Sequence, residues 1–184
     1  SLGIEALSRG ADSCDFVDRG PDAIAAIVTN LAKSRLGESA RVIRGDVNRF
    51  LDAVRQPYDL ILCDPPYGWV AMGDLLLQLA RPEVTSDGAV VVVETGRRDP
   101  PLVLPGRLTV NRVRMHGDTV VTIDELDPSC GCLQPKLADE YRELDPGEEG
   151  REHRRSDHPV QGVLPLGAAG NSDLDLRLDR GLGN

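Results

Sequence analysis

The sequence has no apolar run approaching the ~18 residues that a membrane-spanning helix needs. With 40% hydrophobic and 28% charged residues in 184, it falls in the range of an ordinary globular chain, and one main domain is expected. Cysteines number only four, too few for a disulfide scaffold, and Cys14 and Cys63 lie in apolar runs where free thiols pack as small hydrophobes. A reducing cytoplasm is the expected location. There is no excess of positive charge: 21 Lys+Arg against 30 Asp+Glu give −9, which excludes a polybasic binder and confines any nucleic-acid contact to a local basic patch. No charged stretch followed by an apolar one marks a targeting signal, and neither a P-loop nor a Ser-His-Asp arrangement stands out. The first residue is Ser1, and Leu2 to Leu7 already read as the inside of an element, so residues upstream of Ser1 are expected.

What is there alternates. Leu2, Ile4, Ala6 and Leu7 share one side of a helix stopped by Gly10, and Cys14-Asp-Phe-Val-Asp18 reads as a strand. Pro21 opens a second helix whose apolar positions Ile24, Ile27, Val28, Leu31 and Leu36 recur until Gly37. Arg41–Arg44 is a strand, Phe50, Leu51 and Val54 mark a brief helix, and Tyr58–Cys63 is the next strand. Leu75–Ala80 predicts a helix, Ala89–Val93 a strand buried on both faces, and Leu108–Met115 with Thr119–Ile123 a hairpin turning at His116-Gly117-Asp118. The pattern is that of an α/β fold with a mostly parallel sheet and a C-terminal antiparallel hairpin, occupying residues 1–126.

Residues 127–184 differ. They are acid-rich, include the polar run from Asp145 to Asp157, and are expected to be a mostly disordered, dispensable tail, because they bury too little apolar surface to offset ~1–2 kcal/mol of backbone entropy per ordered residue. Asp173–Asp179 alternates like a half-exposed strand without an evident partner.

Chemistry concentrates at Asp64-Pro65-Pro66-Tyr67, directly after the apolar strand Leu60–Cys63, at the end where open α/β sheets hold their ligands. Successive prolines stiffen the loop and leave carbonyls, especially that of Pro65, without local donors. A carboxylate, a free carbonyl and an aromatic face suit an exocyclic amine on a planar base: Asp64 and the carbonyl accept its hydrogens while Tyr67 stacks on the ring. The alternative is a plain proline-rich turn.

These residues resemble the class I S-adenosylmethionine-dependent methyltransferases of the (Asn/Asp)-Pro-Pro-(Tyr/Phe) type. The string Leu2-Gly-Ile-Glu-Ala-Leu-Ser-Arg-Gly-Ala11 is similar to the RsmD family of 16S ribosomal RNA guanine-N2 methyltransferases, with the likeness covering about residues 1–126. The resemblance implies a Rossmann-like fold and S-adenosylmethionine as methyl donor. It makes Gly3 the last glycine of a cofactor loop whose first two glycines precede the chain, and it places the family's first strand, absent here, between the strands ending at Asp18 and Asp64. A chain lacking that central strand is expected to fold poorly and bind the donor weakly. The resemblance also implies that Asp18 accepts from the ribose hydroxyls, with Arg19 beside it, and that Asp46, with Val47, meets the adenine amine; a helix-capping role suits Asp46 nearly as well. Catalysis falls to Asp64, Pro65, Pro66 and Tyr67, with Asp64 also touching the donor.

Arg97, Arg98, Arg107, Arg112 and Arg114 are the densest basic group and the candidates for RNA phosphate contacts, a solvated face being the rival reading. Glu94 closes the Val90–Val93 strand at the same sheet edge and reads as a solvated strand terminus, a role near the target base being the alternative. Glu5 reads as a solvent-facing helix residue, with a ligand role near the cofactor loop as the alternative that the resemblance leaves, and His116 as structural. Cys130, Cys132, His153 and His158 have poor zinc spacing, and no metal is expected. The implied partner is 16S rRNA in the 30S subunit or its assembly intermediate, met by a monomer without a membrane. Rival functions are methylation of DNA adenine N6 or of a protein glutamine, and an inactive fragment.

Overall fold

A computed structural model describes residues 2–126, 136–137 and 162–167. Helix α1 (Leu2–Ser8) leads through Gly10, whose φ of +101° suits glycine, into β1 (Cys14–Asp18). Helix α2 (Pro21–Ser34) has Pro21 in its first turn and ends on Arg35 in the left-handed conformation, two residues before the expected Gly37. Strand β2 (Ala40–Arg44), helix α3 (Val47–Ala53), β3 (Tyr58–Asp64), helix α4 (Met72–Leu79) and β4 (Thr85–Gly96) continue the alternation. The short β5 (Val103–Leu104) precedes the hairpin β6 (Leu108–His116) and β7 (Thr119–Leu126); β8 (Lys136–Leu137) pairs with β5, and β9 is Val163–Gly167.

Among the described residues, seven strands form one sheet in the order β2-β1-β9-β3-β4-β7-β6. The first five run parallel, and β7 and β6 supply the antiparallel end. Alternation along the strands separates two cores. Cys14, Phe16 and Leu62 face α1 and α2 with Leu7 and Leu31, whereas Ile61, Cys63, Val91 and Val93 face Leu51, Leu75, Leu76 and Leu79 of α3 and α4. Cys14 and Cys63 are free, buried thiols, and burial pushes the Cys14 thiol up to about 12, so both pack as hydrophobes.

The expected vacancy at the centre of the sheet is not found. Val163–Gly167, from the segment read as a tail, lies parallel between β1 and β3, pairing Leu60 through Asp64 with Val163 through Gly167, and Cys14 and Val17 with Val163 and Leu166. The backbone groups that a missing strand would orphan in the interior are thus paired, which removes the reason to expect poor folding. The disorder reading is corrected for these five residues and for Lys136–Leu137 of β8. The Asp173–Asp179 alternation and the Cys130, Cys132, His153 and His158 group lie outside the described residues, as does most of the 127–184 segment.

Candidate active site

The chain leaves β1 for β2 on one side and later enters β3 on the other, so the order of strands reverses around β9. Crevices in open α/β sheets form at such reversals, beyond the carboxyl ends of the strands. Register defines the row of residues there. Asp64 pairs with Gly167; Cys63 pairs with Val93, placing Asp64 beside Glu94; Val17 pairs with Leu166, placing Asp18 beside Gly167. The row across the sheet is Asp18, Gly167, Asp64, Glu94, all on the face that carries α1 and α2, since laterally paired residues of parallel strands share a face. Gly3 is buried in the first turn of α1 on that same side.

Asp18 is 4% exposed, and its Oδ1 accepts from the Gly20 N–H at 2.6 Å, which closes the turn into α2. Its backbone carbonyl accepts from Gly45 N–H at 2.9 Å, tying the ends of β1 and β2 together. Arg19 is exposed at the rim. Asp46 caps α3: its Oδ1 accepts from the N–H groups of Asn48 at 3.0 Å and Arg49 at 3.2 Å, with Val47 opening the helix. The capping alternative for Asp46 is therefore the one seen.

At Asp64-Pro65-Pro66-Tyr67, the Pro66 carbonyl accepts from the Trp69 N–H at 3.1 Å and closes a turn, while the Pro65 carbonyl has no donor among the described residues. Burial raises the pKa of Asp64. The Tyr67 hydroxyl shares a hydrogen with Thr119 Oγ1 at 2.7 Å and donates to Glu94 Oε1 at 3.4 Å. Its ring lies over Gly96, where a Cβ would stand 3.1 Å from Tyr67 Cγ, and the Gly96 N–H donates to Asp99 Oδ2 at 2.8 Å. Half its surface stays open, at 53% exposure, so the ring is oriented and still available to a flat ligand.

Glu94 is corrected by this geometry. Its carboxyl is half-buried, raised first by burial and then by Asp64, and opposed by hydrogen bonds with Tyr67 and Thr119. It stands beside Asp64 at the same sheet edge: the two are 30 positions apart and become neighbours only through sheet register. Glu5, by contrast, is exposed and paired with Arg9 at 2.6 Å, as a solvent-facing helix residue should be.

The five arginines do not form one patch. Arg97 and Arg98 are exposed at the carboxyl edge of the sheet, where the Arg97 N–H donates to the Asp118 carbonyl at 2.7 Å and joins the loop to the hairpin turn. Arg112 and Arg114 are exposed on the edge strand β6, which runs toward the same end and finishes at the exposed His116. Arg107 sits at the opposite end of the sheet in an ion pair with Asp87 near the start of β4. Among the described residues no cluster has the makings of a metal site, and no helix is long and apolar enough to cross a membrane.

A family model described as "Conserved hypothetical protein 95" matches residues 1–125. The Bacillus subtilis (strain 168) protein named "Putative rRNA methyltransferase YlbH" is 34% identical over 125 residues, covering 66% of this chain and 68% of that protein. "Ribosomal RNA small subunit methyltransferase D" of Escherichia coli (strain K12) is 25% identical over 117 residues, covering 64% of this chain and 59% of its own length. A crystal structure titled as a putative methylase from Haemophilus influenzae superposes with a TM-score of 0.60 at 26% identity, over 68% of this chain and 79% of that one. The chain spans only part of these relatives, and the matched part carries both Asp18 and the Asp64–Tyr67 loop. On this ground the chain belongs to the Conserved hypothetical protein 95 family, the RsmD-like rRNA methyltransferase family that its opening string resembles.

Proposed function

We propose that this protein transfers a methyl group from S-adenosylmethionine to N2 of a guanine in small-subunit ribosomal RNA. The observation that carries the reading is the placement of Asp64-Pro65-Pro66-Tyr67 at the strand reversal, two strands from Asp18 and beside Glu94. The donor would supply a methyl group already activated by its sulfonium charge, so the chain's own work is positioning and electrostatics.

The residues fit that division. Asp18 keeps one carboxylate oxygen on Gly20 and has the other for a ribose diol, Asp46 stands at the end of the next strand, and Gly167 leaves the floor between Asp18 and Asp64 without a side chain. Asp64 and the free Pro65 carbonyl accept the two hydrogens of an exocyclic amine, which favours a pyramidal nitrogen with its lone pair exposed. When the nitrogen–methyl bond forms and the sulfur–methyl bond breaks, one amine proton must leave. Asp64, with proton affinity raised by burial, is placed to take it and pass it to solvent. The Tyr67 ring, held over Gly96 by Thr119 and Glu94, offers its open face to the base. A base must be splayed from its stack to reach this edge. Arg97, Arg98, Arg112 and Arg114 would hold the flanking phosphates, within a monomer working in the cytoplasm on the 30S subunit or its assembly intermediate.

Incubation of the full chain with 30S particles and methyl-labelled donor, followed by nucleoside analysis, should give N2-methylguanosine. Label in another nucleoside, in DNA adenine or in protein glutamine would overturn the guanine assignment. No label from a chain that binds the donor would overturn methyl transfer to ribosomal RNA.

A further inference from the structure

Three of the four positions in the edge row carry carboxylates, and the fourth, Gly167, carries nothing. With strands about 4.8 Å apart, Asp18 and Asp64 stand roughly 10 Å from each other with Gly167 between them. A Cβ at that position would rise on the face the two acids share.

The strand that brings Gly167 there is fitted to its slot. Gly162, just before β9, is buried, and a Cβ on it would stand 3.0 Å from Cδ1 of Tyr58. The tyrosine ring uses that space to pass the start of β9: its hydroxyl, starting from β3, donates to Asp15 Oδ2 on β1 at 2.5 Å. The Gly162 carbonyl accepts from the Leu60 N–H at 3.2 Å. The fit is also unequal. Pairing with β3 runs through all five residues of β9, whereas pairing with β1 is confined to Val163 and Leu166, and Pro165, which lacks an N–H, falls in the gap.

We propose that Val163–Gly167 is a working part of the methyl-donor site, with Gly167 the position over which the donor's nucleoside reaches from Asp18 to Asp64. This rests on reading the site as one for S-adenosylmethionine. A ligand whose ribose is held at Asp18 and whose methyl group is delivered at Asp64 must cross the strand between them, and glycine is the residue that lets a ligand lie against backbone there. The site is therefore assembled from both parts of the sequence: Asp18 and Asp64 come from the stretch that matches the family, and the floor comes from the late segment outside the match.

The test is calorimetric titration of the full chain with S-adenosylhomocysteine, comparing wild type with Gly167→Val, and hydrogen exchange at residues 163–167. Gly167→Val is expected to weaken binding by about 30-fold or more while the melting temperature stays within a few degrees. If that variant melts early, Gly167→Ala carries the test, with about a tenfold loss expected. The amides of Leu164 and Leu166 should exchange more slowly when the ligand is present. Unchanged affinity in a folded Gly167 variant, or amides in 163–167 that exchange at the open-chain rate with ligand bound, overturns the role of β9 and leaves the donor reading intact. A wild-type chain that binds no S-adenosylhomocysteine overturns the donor reading itself, and the role of β9 with it.

Discussion

The Tyr58 hydroxyl donates to Asp15 Oδ2 at 2.5 Å across a strand that belongs to neither residue's own part of the sequence. Asp15 also accepts from Arg41 of β2, at 3.0 Å from Nε, so one carboxylate joins β2, β1 and β3 around the entry of β9. Burial and the hydrogen bond to Asp15 both raise the Tyr58 pKa, which keeps it a donor throughout the physiological range. Tyr58→Phe removes one hydrogen bond to a charged group, a loss of about 1.5–3 kcal/mol. Equilibrium denaturation should register that loss, and Gly162→Val, which forces the same ring aside, should cost at least as much. A Gly162→Val protein as stable as wild type would contradict this fit of the Tyr58 ring against Gly162.

Asp124 on β7 is fully buried, and neither of its carboxylate oxygens has a hydrogen-bond partner among the described residues. Burial raises its pKa to about 7. The folded state then holds this proton more tightly than the unfolded chain, whose carboxyl titrates near ~3.9. Its contribution to stability is complete below pH ~4 and is lost as pH rises toward 7. Asp124→Asn abolishes that titration, so wild type should lose up to about 1.4 kcal/mol per pH unit relative to the variant between those limits. Parallel denaturation curves at pH 4.5 and 7.5 check it, and a pH-independent difference would show that Asp124 is solvated.

Asp64→Ala should lower methyl transfer by about 10²–10³ while leaving most donor affinity, because the lost acceptor acts on the target amine. Transfer should also fall on the acid side at a pH above that of an ordinary carboxylate, since burial raises Asp64 and protonation removes an acceptor. Single-turnover rates across pH measure both effects. Wild-type turnover in Asp64→Ala would remove it from the chemistry.

Gly96→Ala should act on the same step from the neighbouring strand. A Cβ 3.1 Å from Tyr67 Cγ and 3.2 Å from the Asp99 oxygens must displace the ring or the Asp99 side chain. The expected signature is a lower kcat with unchanged donor affinity. Equal losses in both would place Gly96 in the donor pocket.

Much of this is legible in the amino-acid sequence alone. The β-α-β alternation, the hairpin, the loop at Asp64–Tyr67 and the strand ending at Asp18 follow from apolar periodicity and from Pro and Gly punctuation, which are local signals. For Glu94 the sequence leaves two readings, a solvated terminus and a place near the target base, because its neighbour Asp64 arrives only by lateral register. Asp124 is not legible as a buried residue, since its polarity on a strand reads as solvent-facing until packing closes over it. The central place of β9 is the least legible feature. Val163–Gly167 is short, sits in acid-rich surroundings and contains Pro165, a residue that argues against a central strand; only the vacancy between β1 and β3 gives it a partner on each side.

If the edge row is a methyl-donor site, Asp18 must hold the donor. Calorimetry of S-adenosylhomocysteine with the full chain should show one saturable site in wild type. Asp18→Ala should weaken it by roughly 10- to 150-fold, the equivalent of about 1.5–3 kcal/mol for hydrogen bonds to a charged group, while Asp64→Ala binds nearly as wild type does. Absence of binding in wild type, or an Asp18→Ala protein that binds with undiminished affinity, would contradict it.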